Sequence, residues 1–183
     1  MSWQPDGLRV ENATTLASAQ AAVKIVAACS QSGALTLEAW VTPTSQNQGN
    51  QPRIVTVSSD PFHRDLTLAQ EQTWFIARVR TSATSENGLP ELTGPANTVT
   101  NKLTHLVFTR DAAGNDTLYV NGAINAKRVQ GGDLSTWEIA FKLALANEPD
   151  NTRPWLGTFH MVAVYDRALS SAEVVQHHQA GVP

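Results

Sequence analysis

Apolar and polar residues alternate with a period of two over most of this chain, and that rhythm predicts strands. In residues 34–42, Leu35, Leu37, Ala39 and Val41 fall on one side, with Thr36, Glu38, Trp40 and Thr42 on the other. The same reading predicts strands at 8–10, 53–59, 65–70, 73–81, 104–110, 117–120, 141–146 and 156–166. Asn121-Gly122 directly follows one of these runs and supplies the positive φ angles of a tight type I′ hairpin, and Gly114 serves a longer loop. Residues 15–30 change period. Leu16, Ala19, Val23, Val26 and Cys29 recur every three or four positions, with Gly33 beyond, which predicts a helix along the edge of the sheets with Cys29 turned to the core. Near the end, Ser170 and Glu173 form a capping box, Leu169 and Val174 a hydrophobic staple, and Gly181 a stop signal. Polar loops are expected at 43–52 and 82–95. The outcome is an all-β, antiparallel two-sheet sandwich with a short helix near the N-terminus and another at the C-terminus, one domain over residues 1–183.

Composition narrows the function classes. Charged residues make up 16% of the 183 positions and the net charge is −3, with no basic run, so nucleic-acid binding has no electrostatic footprint. The single cysteine excludes an intrachain disulfide. No apolar run approaches the ~20 residues that span a bilayer, so no membrane insertion is expected, and the MSWQPDG start has neither the basic nor the apolar region of a signal peptide.

Three segments carry a family resemblance: LTLEAWVTP from Leu35, LTHLVFTRDAAGNDTLYVNG from Leu103, and the ordered set running from Leu156-Gly157-x-Phe159 through Tyr165-Asp166-Arg167-Ala168-Leu169-Ser170 to Glu173. The chain resembles the laminin-G-like jelly-roll domains of the concanavalin A-like lectin/glucanase superfamily. It is also similar to a bacterial branch with a helix before the first long strand and an ALANE…RPWLG segment. The resemblance implies a jelly-roll sandwich that binds glycan or extracellular protein, sometimes with calcium, as a module of a larger exported or envelope protein.

Glucanases of the superfamily place carboxylates at Glu-x-Asp-x-x-Glu spacing on one strand, where one attacks and another protonates the leaving oxygen. That motif is absent here, as are Gly-x-Ser-x-Gly and His-Glu-x-x-His. His105, His160, His177 and His178 read as structural or surface residues. The expected function is a non-catalytic glycan-binding module; a protein-interaction spacer and a diverged glycosidase or lyase are the alternatives.

Sugar sites need flat aromatic faces beside hydrogen-bonding groups. Trp74, Arg78 and Arg80 share one face of the strand at 73–81, against which the bland alternative is a solvated face whose arginines pair with Glu38 or Asp65. The turn holding Asp60, His63 and Arg64 is expected to border the same groove, as is the loop of Asn147, Asp150, Arg153 and Trp155. Hard cations favour loop oxygens, so Asp60, Asp65, Asp150 and Asn151 are the residues suited to calcium. The aspartate that many family members carry after Leu-Gly-x-Phe is His160 here, a poor calcium partner.

Overall fold

The structure, a computed structural model, describes residues 1–49 and 51–182. In chain order the strands are β1 (Ser2–Gln4), β2 (Gly7–Val10), β3 (Leu16–Ala17), β4 (Leu35–Pro43), β5 (Arg53–Asp60), β6 (His63–Glu71), β7 (Trp74–Val79), β8 (Leu92–Thr93), β9 (Thr104–Arg110), β10 (Asn115–Val120), β11 (Ala123–Val129), β12 (Lys142–Leu145) and β13 (Gly157–Tyr165). The helices are α1 (Val23–Ser32) and α2 (Ser171–Ala180). One sheet runs β1-β2-β13-β4-β9-β10-β11 and the other β3-β12-β5-β6-β7-β8, with every pairing antiparallel.

The alternating apolar positions meet between the sheets. Leu35, Leu37, Ala39 and Val41 of β4 and Leu106 and Phe108 of β9 pack in one cluster with Val55, Val57, Leu66, Leu68, Phe75, Ala77 and Val79 of the other sheet. Each such side chain, once buried, stabilises the fold by about 1.5–3 kcal/mol. The Asn121-Gly122 hairpin forms as expected. Both residues have positive φ (52° and 77°), and Val120 pairs directly with Ala123. The two-residue period does not reveal β11, because this end strand has no fully buried position.

The first helix is shorter than its periodicity suggests. Leu16 and Ala17 pair with Leu145 and Ala144 on the sheet edge, and Thr15 Oγ1 donates to Glu148 O and Asn151 Oδ1. Tertiary hydrogen bonds therefore capture the segment that the spacing assigns to the helix. The helix begins after Ala22, which makes no side-chain cap, and ends at the left-handed Gly33 (φ 67°). Cys29 is buried, and burial pushes its thiol up to about 12, which makes it a packing residue rather than a nucleophile.

The second helix carries its expected caps. Ser170 Oγ accepts from Glu173 N, and Glu173 Oε2 accepts from Ser170 N at 2.7 Å. Leu169 and Val174 are buried together with Val107 and Tyr119. This helix covers the outer face of the seven-stranded sheet and gathers histidines that the sequence scatters. Buried Glu38 Oε1 bonds His105 Nε2 (2.8 Å), its Oε2 accepts from Tyr165 OH (2.9 Å), and His177 Nδ1 lies 3.1 Å from both oxygens. Trp40 and His105 stack with centroids 4.4 Å apart, and His178 stacks parallel to His105 at 5.7 Å.

This packing makes helix docking sensitive to acid. Burial and the neighbouring His105 hold His178 below the ordinary histidine value. Burial alone would raise the Glu38 carboxyl, but hydrogen bonds from His105, Tyr165 and His177 together hold it below its usual range. A group whose folded pKa is depressed stabilises the fold above its unfolded pKa and loses that contribution as pH falls. Both groups therefore act in one direction, His178 below about pH 6.5 and Glu38 below about pH 4.5. Thermal melts should show stability falling from pH 7 to pH 5, and His178→Phe, which keeps the stacked ring, should flatten that dependence. An unchanged slope in the variant would count against the assignment to His178.

Candidate functional site

Strand β7 sets the site. Phe75, Ala77 and Val79 belong to the core, so Trp74, Ile76 and Arg78 stand on the outer face of the six-stranded sheet. On β6 their partners across the ladder are Glu71, Ala69 and Thr67, and on β5 Thr56 and Arg53 stand opposite Thr67 and Ala69. Cross-strand partners share a face, and this face is largely polar. Side chains from three loops close over it.

At its centre lies a buried carboxylate. Glu148 Oε1 accepts from Arg53 Nε at 2.5 Å and Arg64 Nη1 at 3.2 Å, and Oε2 accepts from Ser58 Oγ at 2.5 Å. All three charged side chains are fully buried. Arg53 Nη1 also donates to Gln51 O, Arg64 Nη1 to Thr67 Oγ1, and Arg64 Nη2 to Pro61 O. Asn147 Oδ1 accepts from Arg153 N (2.7 Å) and Glu148 N (3.0 Å), fixing the loop that delivers the carboxylate. Burial lowers the pKa of both guanidinium groups, Arg64 to about 9, and the crowding of Arg53, Arg64, Arg78 and Arg153 pushes the same way against the pull of Glu148.

Around this centre runs a rim that reaches the surface. Arg78 donates through Nε to Glu91 Oε2 (2.7 Å), through Nη1 to Asn87 Oδ1 (2.9 Å) and through Nη2 to Gln51 Oε1 (2.9 Å). Gln51 Nε2 donates in turn to Glu71 Oε2 (3.1 Å), the neighbour of Trp74 across the hairpin. Gln51, Glu71, Trp74, Asn87 and Glu91 are all half-buried. The indole thus stands at one end of a hydrogen-bonded chain of carboxylate, amide and guanidinium groups that runs from Glu71 through Gln51 to Arg78.

The structure places Arg64 and Asn147 around Glu148 with Arg78 and Arg153 near enough to act on Arg64 by charge, and joins Trp74 to Arg78 through Glu71 and Gln51, but it removes others from the group. Trp155 is a core residue. It is fully buried, its Nε1 donates to Gln70 Oε1, and its ring lies 4.9 Å from that of Phe159. Gly157 is required for this arrangement, because a Cβ there would run into the Trp155 ring and the Thr42 carbonyl. Arg80 lies six residues along the chain from Trp74, roughly 20 Å at the strand rise, where it faces Glu138 at 3.7 Å. The arginines therefore pair with Glu91 and Glu138 rather than with Glu38 or Asp65. Asp60 and His63 bond each other in an exposed turn, and His63 reaches Glu86.

The four residues suited to calcium do not converge. Asp60 accepts from the backbone of Phe62 and His63. Asp65 is fully buried with both oxygens on Glu138 N, and burial pushes its carboxyl up to about 7. Asp150 closes a turn on Thr152, and Asn151 Oδ1 accepts from Thr15. Among the described residues no group of three or more His, Cys, Asp and Glu side chains is placed to hold a metal ion. His160 donates from Nδ1 to the Asp6 carbonyl, which uses the backbone oxygen a cation there would need.

Several rim and centre residues escape a sequence reading: Gln51, Arg53, Glu71, Asn87, Glu91 and Glu148. Arg53 carries the one usable signal, a cation opening a strand directly before the apolar Ile54 and Val55. Burial of such a residue requires a carboxylate partner.

A laminin-G family, described as concanavalin A-like lectin/glucanases superfamily, matches residues 17–175. The chain belongs to it. Comparison with curated proteins finds no match. Among solved structures, the chain is similar to the CBM40 of Ruminococcus gnavus IT-sialidase at 17% identity and TM-score 0.71, covering 93% of this chain and 95% of that one, both alone and bound to α2,3 sialyllactose. It is also similar to domain 4 of AbnA, a GH43 extracellular arabinanase from Geobacillus stearothermophilus in complex with arabinotriose. That likeness has 19% identity and TM-score 0.56 and covers 79% and 66% of the two chains. At these identities the likeness speaks for the fold.

Two substitutions separate support from surface. Glu148→Ala leaves Arg53 and Arg64 buried without their counter-ion and should destabilise the protein by about 3–5 kcal/mol. Trp155→Ala empties a core position and should cost a similar amount, about 3–5 kcal/mol. Denaturant unfolding measures both. A midpoint close to wild type for Trp155→Ala would return that indole to the list of surface residues.

Proposed function

We propose that this chain is a non-catalytic glycan-binding module of an exported or envelope protein, with the sugar seated against Trp74 on the outer face of the six-stranded sheet. The observation that carries the reading is the half-buried indole of Trp74, whose cross-strand partner Glu71 is tied through Gln51 to Arg78, which also holds Asn87 and Glu91. A pyranose ring presents an apolar face of C–H groups, which an indole covers, and an edge of hydroxyls, which planar amide, carboxylate and guanidinium groups bind. Because neighbouring hydrogen bonds already hold those groups, little side-chain freedom is lost on binding. Ligands held by structural neighbours, sialyllactose and arabinotriose, support a sugar as the ligand class.

The placement of the raised carboxyls also speaks against hydrolysis. A glycosidase needs an accessible carboxyl kept protonated near neutral pH. Among the described residues, burial raises the carboxyls of Asp65 and Asp116, and both are fully buried. Asp65 is occupied by Glu138 N, and Asp116 by Arg110 and Arg128.

A second reading, adhesion to another protein, rests on one feature. Trp3 and Leu103 are 81% and 45% exposed and line a hollow of about 630 Å³ with Gln4, Asp6 and His160. Exposed apolar groups of this kind mark contact surfaces.

A glycan array probed with wild type and Trp74→Ala tests the main reading. Wild type should bind a defined subset of glycans. Trp74→Ala should lose affinity by tenfold or more, about 1.4 kcal/mol, while melting close to wild type. An array with no binder removes the proposal; loss of self-association in Trp3→Ala would favour adhesion instead.

A further inference from the structure

Strand β13 has an open edge. It pairs with β4 from Gly157 to Tyr165, but β2 lies on its other side only from Gly157 to Phe159. Two hydrogen bonds fix which groups face that opening. Thr44 N donates to Leu156 O, and Asn121 N donates to His105 O. Residues of an antiparallel strand bond alternately to one side and the other. Taken with the registers of β4, β9 and β10, both bonds direct the even-numbered residues of β4 toward β13. Met161, Ala163 and Tyr165 therefore bond to Trp40, Glu38 and Thr36. The N–H and C=O groups of Val162 and Val164 point away from β4, and among the described residues they have no hydrogen-bond partner there.

The end strands of the two sheets are guarded. β1 is three residues long, β3 and β8 are two each, and β11 carries Lys127 and Arg128. Short strands and charges of this kind deter pairing with another chain. Met161-Val162-Ala163-Val164-Tyr165 has neither a charge nor a proline.

Beside this edge the apolar interior reaches solvent. Ile25 and Ala28 of α1, Leu143 of β12, and Val162 and Val164 line a hollow of about 450 Å³, and all five are half-buried. Cross-strand neighbours share a face. Residues of an added strand opposite Val162 and Val164 would turn their side chains into the hollow, and the residue between them would face out beside Ala163. Lys24 and Asp166 stand at the margin of the hollow, and neither makes an ion pair among the described residues. Asp166 acts by charge on Cys29, whereas Lys24 precedes Cys29 on α1 by about 7.5 Å of helix.

We infer that this edge is a docking slot for an extended segment of another protein. The segment adds as an antiparallel strand to β13, with apolar residues at two alternate positions, a basic residue before them and an acidic residue after. Backbone groups of both valines supply the affinity, and the hollow selects the two side chains. A second copy of this chain fits poorly, because pairing β13 with β13 about Ala163 lays the end of one copy's strand on the edge that β2 occupies in the other.

Peptide titration of the whole chain, followed by NMR, tests this. The first probe is Lys-Thr-Val-Thr-Val-Thr-Glu, capped at both ends, with a set in which Leu, Ile or Phe replaces the valines. Saturation should slow hydrogen exchange of the Val162 and Val164 amides at least about tenfold, while the Ala163 amide, already bonded to Glu38, changes little. N-methylation of both peptide valines removes the donors that face β13 and should weaken binding about tenfold or more. N-methylation of the threonine between them should be tolerated. Val164→Pro removes an edge donor without touching a bond to β4 and should weaken binding too. Melting curves check that this variant folds, and the N-methylated peptides, read on wild type, stand without it. If no member of the set binds below about 1 mM, or if both N-methylated forms bind equally, the inference is overturned. Equal affinity for the charge-reversed peptide overturns the assigned strand direction. Self-association of the free protein that Val164→Pro abolishes gives the edge to a second copy and overturns the partner. None of these results touches the glycan reading, which stands or falls with Trp74→Ala.

Discussion

The outer face of the six-stranded sheet depends on a single buried carboxylate, Glu148, gripped by two arginines that reach it from different strands. Moving these charges out of water costs several kcal/mol per ion, and only close, well-directed contacts offset that penalty. Here the contacts are three hydrogen bonds of 2.5–3.2 Å. Their consequence is geometric. They hold the 147–154 loop against the sheet, Asn147 fixes the turn within it, and Trp155 N bonds Ala146 O, so the following indole drops into the core beside Gly157. Loss of that carboxylate would leave the loop, the core tryptophan and the rim around Trp74 without a common anchor.

The two sheets solve the same problem differently, and the proposed site follows that difference. Each must cover an outer face bearing polar groups in otherwise apolar strands. The seven-stranded sheet uses α2, which helps bury Glu38, Trp40 and His105 and brings His177 to Glu38. The six-stranded sheet uses loops, whose side chains cover the centre but leave Trp74, Glu71 and Gln51 half in solvent. Helix cover completes the hydrogen bonding around Glu38 itself. The proposed sugar site therefore lies on the second sheet, where an indole stays partly in solvent.

How far the sequence discloses this follows from the range of the interactions involved. Local ones are legible: the alternation of β4 and β7, the Asn121-Gly122 hairpin and the Ser170–Glu173 capping box each lie within a few residues, and each is present in the fold. Where distant partners compete, local spacing misleads. The helical pattern from Leu16 yields to pairing with Leu145 on the sheet edge. The site residues missed by inspection are tied over long separations, Arg53 to Glu148 by 95 positions and Glu38 to His177 by 139, distances at which no periodicity operates. Trp155 shows the limit most sharply. A tryptophan in a polar loop reads as a surface group, yet a glycine two residues later makes room for its ring inside the sandwich.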